Sequence, residues 1–98
     1  MFKKWKEKKQ LKQEQAKYVG LKPNEAARQL VKDRGAQGVT AKELSAILEI
    51  HHGWASGILS NHHKAGKFAR LAEERDGFKV YVLPSNVNGR ETEKQGRN

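Results

Sequence analysis

The dipeptide Asp76-Gly77 constrains this chain more than any other feature. It stands between FARLAEER and FKVYVLP, and a two-residue Asp-Gly connection is a strong signal for a tight β-hairpin. The turn sets a register with Arg75 opposite Phe78, Glu74 opposite Lys79 and Leu71 opposite Val82. Leu71, Phe78, Val80 and Val82 then share a face expected to meet the core, and Arg70, Glu74, Lys79 and Tyr81 share the other. Glu74 and Lys79 are placed to form a cross-strand ion pair. Pro84 stops the second strand, and SNVNGRETEKQGRN, with one apolar residue, is expected to be a disordered polar tail over 85–98.

Three helical stretches precede the hairpin. In VTAKEL, Thr40 sits three residues before Glu43, the arrangement of a capping box, and Val39 and Leu44 occupy the positions of a hydrophobic staple. That helix runs to about Ile50 with Ala41, Leu44, Ile47 and Leu48 inward. Upstream, Gly20-Leu21-Lys22-Pro23 breaks the chain. Asn24 is the expected cap of EAARQLVKDRG, whose Ala26, Ala27, Leu30 and Val31 form one face before Gly35 and Gly38. Downstream, after a turn at His51-His52-Gly53, Ala55, Ile58, Leu59 and His62 define the buried side of a helix ending at Lys64. Gly66 terminates it at φ > 0.

Helix, helix, tight turn, helix, two-stranded hairpin is the order of a winged helix-turn-helix, mostly α with a β-hairpin. The segment VTAKELSAILEIHHGWASGILSNHHKAGKFARLAEERDGFKVYVLP also resembles the winged-helix domains of MarR- and ArsR-like regulators. It is similar in particular to small winged-helix proteins encoded by phages of actinobacteria. The matching features are VTAKELSAIL, the helix-ending KAG and the closing KVYVLP, so the resemblance covers residues 39–83. It implies that residues 52–64 are a recognition helix, that Asp76-Gly77 tips the wing, and that the protein regulates transcription in the cytoplasm of a bacterial host. It further implies a homodimer, with the helix at 3–18 or 24–34 as its interface.

Charge points to the same class of partner. The 98 residues hold 20 Lys+Arg against 11 Asp+Glu, a formal +9, and such an excess favours a polyanion, nucleic acid first. It is unevenly spread: residues 1–20 carry +5, whereas 39–83 carry only +1. Residues 1–20 form a basic arm or helix ahead of a domain at 21–84. Three readings of the arm stay open: a solvated arm, a tether for DNA phosphates through Lys3, Lys4, Lys6, Lys8, Lys9 and Lys12, or a membrane-surface helix anchored by Phe2 and Trp5. The last has little apolar area, and attachment to a membrane surface is not expected.

A recognition helix presents its first turns and solvent face to base edges in the major groove. The exposed candidates are His52, Trp54, Ser56, Gly57, Ser60, Asn61, His63 and Lys64. Small residues allow close approach, Ser60 and Asn61 can hydrogen-bond to bases or phosphates, and Lys64, Lys67, Arg75 and Lys79 can meet phosphates. Three acids, Glu73, Glu74 and Asp76, weaken the wing as a phosphate clamp. Trp54 is expected to pack under the turn against Ile50, with an exposed anchor as the alternative. His62 is read as a core-edge histidine with a backbone partner, and His52 and His63 as exposed. Exposed histidines gain charge below about pH 6.5, so tighter DNA binding in mild acid is expected.

Other chemistries find little support. Cysteine is absent, which removes disulfides and thiolate metal sites. Adjacent histidines do not share a helix face, and His51 and His62 would lie roughly 16 Å apart along one helix, so neither a metal site nor a cofactor is expected. No nucleophile–base set or phosphate-cradling glycine loop is visible, so an enzyme is not expected. MFKKWKEKKQ lacks an apolar stretch after its charges, so a secretory signal is not expected. Two rival functions remain beside specific binding of double-stranded DNA: a winged-helix module for a host or partner protein, and a sequence-blind architectural DNA binder.

Overall fold

The computed structural model describes residues 14–93. After helical residues 14–17 come α1 (Pro23–Arg34), α2 (Ala41–Leu48) and α3 (His52–Lys64), then β1 (Ala69–Arg75) and β2 (Phe78–Val82). Short 3-10 turns cover Gly35–Gln37 and Pro84–Asn86. The chain is therefore mostly α-helical with one β-hairpin.

Local signals account for the helix ends. α2 carries the full capping box: Glu43 N donates to Thr40 Oγ1 at 3.2 Å and Thr40 N donates to Glu43 Oε1 at 3.3 Å. Val39 and Leu44 are both fully buried. α1 departs from expectation at its start. Lys22, not Asn24, is the N-cap, and Pro23 opens the helix, a position where its missing N–H costs nothing and its fixed φ helps. α1 stops at Gly35, with φ of 57°.

Ala26, Ala27, Leu30 and Val31 of α1 meet Leu44 and Ile47 of α2 and Ala55, Ile58 and Leu59 of α3 in one core. Tyr18 joins it, 4% exposed, and its hydroxyl donates to Asp33 Oδ2 at 2.9 Å. Burial first, and then the acceptor carboxylate, push the phenol well above its ordinary pKa. Glu14 also pairs with Arg34 at 2.7 Å. The boundary expected at residue 20 thus falls inside packed structure.

The hairpin keeps its expected turn and changes its register. Asp76 and Gly77 both have positive φ, and Arg75 pairs with Phe78 and Glu74 with Lys79. Between Glu74 and Arg70 the ladder shifts, so Arg70 pairs with Tyr81 and Ala69, not Leu71, with Val82. Residues 71–73 face the single residue Val80, and such an irregularity re-aims side chains. Tyr81 lies in the helical core, contrary to its expected outer position, because the sheet face opposite Val80 and Val82 is the one that meets the helices. Leu71, Val80 and Val82 form a second small core that Val87 covers.

Both edges of the hairpin are closed. Val39 and Tyr81 exchange backbone hydrogen bonds of 2.9 and 2.8 Å on the β2 side. Gly38 makes that approach feasible, since a Cβ there would stand 2.6 Å from Tyr81 O. On the β1 side the expected disordered tail returns. Ala72 N donates to Glu91 O at 2.9 Å and Glu93 N to Arg70 O at 2.8 Å. Hydrogen bonds to an open strand edge and a cover for Leu71 order residues 84–93 despite their polar composition. Residues 94–98 lie outside the described residues.

Candidate nucleic-acid interface

α3 owes its start to a residue whose capping role was missed. His51 is the N-cap, and its Nδ1 accepts from Gly53 N at 3.0 Å. Its ring stacks on His52, centroids 4.5 Å apart. Histidine is not among the favoured capping residues, which is why the sequence carried no warning. The helix then spans the expected 52–64.

The buried side holds Ala55, Ile58, Leu59 and His62 as anticipated. His62 Nδ1 donates to Ile58 O at 2.8 Å while the ring stacks on Phe68, so its role at the core edge is structural. His63 overturns the expectation of exposure: it is 2% exposed and meets Tyr81 edge-on. Burial, followed by the charge of Arg70, holds its pKa below the ordinary value. A side chain in that position neither reaches a phosphate nor favours charge in mild acid.

The solvent side assembles most of the anticipated set. His52, Trp54, Ser56, Asn61 and Lys64 are exposed, Gly57 and Ser60 half-buried, and Lys67 is exposed just beyond the helix. Trp54 does not tuck under the turn; its residue is 55% exposed. Ser56, Ser60 and Asn61 make no side-chain hydrogen bond among the described residues. At Gly57 a Cβ would meet nothing within 4 Å. Internal packing therefore does not require glycine there, although mid-helix glycine costs about 1 kcal/mol relative to alanine.

The hairpin cations belong to a different system. Arg75 donates to Glu43 through Nε at 2.7 Å and Nη2 at 2.8 Å, and to the carbonyls of Gln37 and Gly38 at 3.0 and 3.1 Å. Arg34 reaches the same carboxylate at 3.2 Å. Burial raises the Glu43 pKa, but the Arg75 hydrogen bonds and charge outweigh it and hold the carboxyl below its ordinary range. Lys79 lies 3.2 Å from Glu93 and 3.5 Å from Glu74, and donates to Ala72 O at 3.1 Å. Arg75 and Lys79, the expected phosphate contacts of the hairpin, are thus engaged by internal partners. Their partners Glu43 and Glu93 are too distant in sequence, or in too unpromising a tail, to have been read ahead.

Lys3, Lys4, Lys6, Lys8, Lys9 and Lys12 lie outside the described residues. Residues 14–93 hold twelve Lys+Arg and ten Asp+Glu, a net +2, while residues 1–13 hold six lysines and one glutamate. Among the described residues no three His, Asp or Glu side chains converge as a metal site, and no helix is long and apolar enough to cross a membrane. No family model, curated protein or solved structure matches the chain.

Proposed function

We propose that the protein is a winged helix-turn-helix that binds double-stranded DNA through α3, as a regulator of transcription. The observation that carries this reading is the outer face of α3. Gly57 has no internal reason to be glycine, and beside it Ser56, Ser60 and Asn61 make no side-chain hydrogen bond among the described residues, with Lys64 at the end of the same face. Glycine lets the helix backbone approach base edges, Ser60 and Asn61 supply donors and acceptors to them, and Lys64 and Lys67 lie against flanking phosphates. His52 and Trp54 stand at the leading end. The hairpin supports α3 through Tyr81 and contributes shape rather than charge, and the lysines of residues 1–13 provide the long-range attraction.

Fluorescence anisotropy of the full chain with duplex DNA across a salt series tests this. Binding with a steep salt dependence that survives, with sequence preference, in a variant carrying glutamine at the six arm lysines supports groove reading. Absence of binding by the full chain near physiological salt refutes it. Substitution is preferable to truncation at residue 20, which would remove the buried Tyr18. The exposed indole of Trp54 favours one second reading, a protein-partner surface, because exposed tryptophan is typical of interface anchors. Loss of function in Trp54→Ala with Ser60→Ala/Asn61→Ala unaffected would favour that partner over DNA.

A further inference from the structure

Away from α3, two of the exposed large apolar residues lie in one turn: Val19 is 80% exposed and Leu21 is 40% exposed. The turn is pinned from below by the buried ring of Tyr18 and its bond to Asp33, so the two apolar side chains project from a fixed base. Cations outnumber acids around them, with Glu49 lining the hollow beside both residues. Seven of the twelve Lys and Arg in residues 14–93 form no ion pair with a described residue. Lys17 and Lys22 flank the turn, and Arg28, Lys32 and Lys67 line a groove of about 800 Å³ that Leu21 itself helps to form. Only Lys42 and Lys64 lie outside this group. Glu25 is the one acid on the groove.

We propose that the Val19–Leu21 turn and the unpaired cations around it dock the protein on an anionic membrane surface. Such a surface offers both chemistries at once, phosphates for the ammonium and guanidinium groups and an apolar layer beneath for projecting side chains. A second copy of the same face would be repelled by like charge. The chain's own ends do not suit it either, because residues 1–13 carry +5 and residues 94–98 carry +2. The apolar turn is separate from the outer face of α3, and Lys67 is the cation of this groove shared with the proposed DNA contact.

The test is flotation of the full chain with vesicles of phosphatidylcholine alone, and with vesicles containing one-third phosphatidylglycerol. The full chain is expected on the anionic vesicles and not on the neutral ones. Val19→Ser/Leu21→Ser, which keeps the charge, is expected to weaken that binding about tenfold, with an unchanged circular dichroism spectrum and unchanged duplex affinity. Millimolar inorganic phosphate is expected to leave the binding in place. Equal recovery on both vesicle types, or none on either, overturns the proposal. So does wild-type binding by the serine variant, which would leave the arm's charge as the whole attraction. Displacement by inorganic phosphate would identify a soluble-anion site instead, and loss of duplex affinity in the serine variant would assign the turn to the DNA contact.

Discussion

The hairpin and the outer surfaces of α1 and α3 treat positive charge in contrasting ways. Arg70, Arg75 and Lys79 of the hairpin, and Arg90 beyond it, all sit in ion pairs. Lys64 and Lys67 at the end of α3, and Arg28 and Lys32 on α1, pair with no described acid. A count of basic residues makes the hairpin look like a phosphate clamp and the helices ordinary. The distribution of acids reverses that, because a guanidinium already holding two carboxylate oxygens and two carbonyls has little to offer a phosphate.

Breaking the hairpin network should have the largest effect. Glu43→Gln leaves Arg75 and Arg34 facing a neutral amide and is expected to cost about 2–3 kcal/mol in urea unfolding. A loss under about 1 kcal/mol would show that solvent screening makes the pair dispensable. The sign with pH follows from the depressed carboxyl: its stabilisation is complete above the unfolded value near 4.5 and disappears as pH falls through the lower folded value. The acid limb of the stability curve should therefore be flatter in Glu43→Gln.

Substitution on the α3 face separates stability from binding. Gly57→Ala is expected to stabilise the protein by about 0.5–1 kcal/mol while weakening DNA binding about tenfold by holding the backbone off the bases. A variant that gains both stability and affinity would refute close approach as the reason for glycine. At the buried His63, the folded protein resists a proton that the unfolded chain accepts. Stability should therefore decline as pH falls below the ordinary 6.5, and His63→Gln should remove that part of the slope in denaturation at several pH values.

The smallest effect is the sharpest contrast. Lys79→Gln should leave the salt dependence of DNA binding unchanged, whereas Lys64→Gln should lower its log–log slope by about 0.9, the share of one phosphate contact. Equal reductions would mean that the hairpin lysine exchanges Glu93 for DNA.

What could be read in advance depended on range. Thr40 and Glu43 are three residues apart, Asp76 and Gly77 adjacent, and His62 four residues from Ile58, and each of these contacts was legible. The bulge was not, because the Asp-Gly turn dictates pairing only near itself. The displaced Tyr81, the burial of His63 and the return of residues 84–93 all follow from contacts across the fold. Arg75 shows the limit most plainly: its partner Glu43 was recognised correctly as a capping residue, yet nothing local shows that the same carboxylate also receives a guanidinium from 32 positions away.

The three consecutive carbonyls after α1 carry a mechanical consequence. Ala36 O accepts from Arg90 Nη2 at 2.6 Å, and Gln37 O and Gly38 O accept from Arg75. Two arginines from beyond α3 thus bolt the strand pair to the connection between α1 and α2. Bending at that connection would break these three guanidinium bonds, and Arg75 also grips Glu43 at the start of α2, so the hairpin, the connection and the first turn of α2 move as one block.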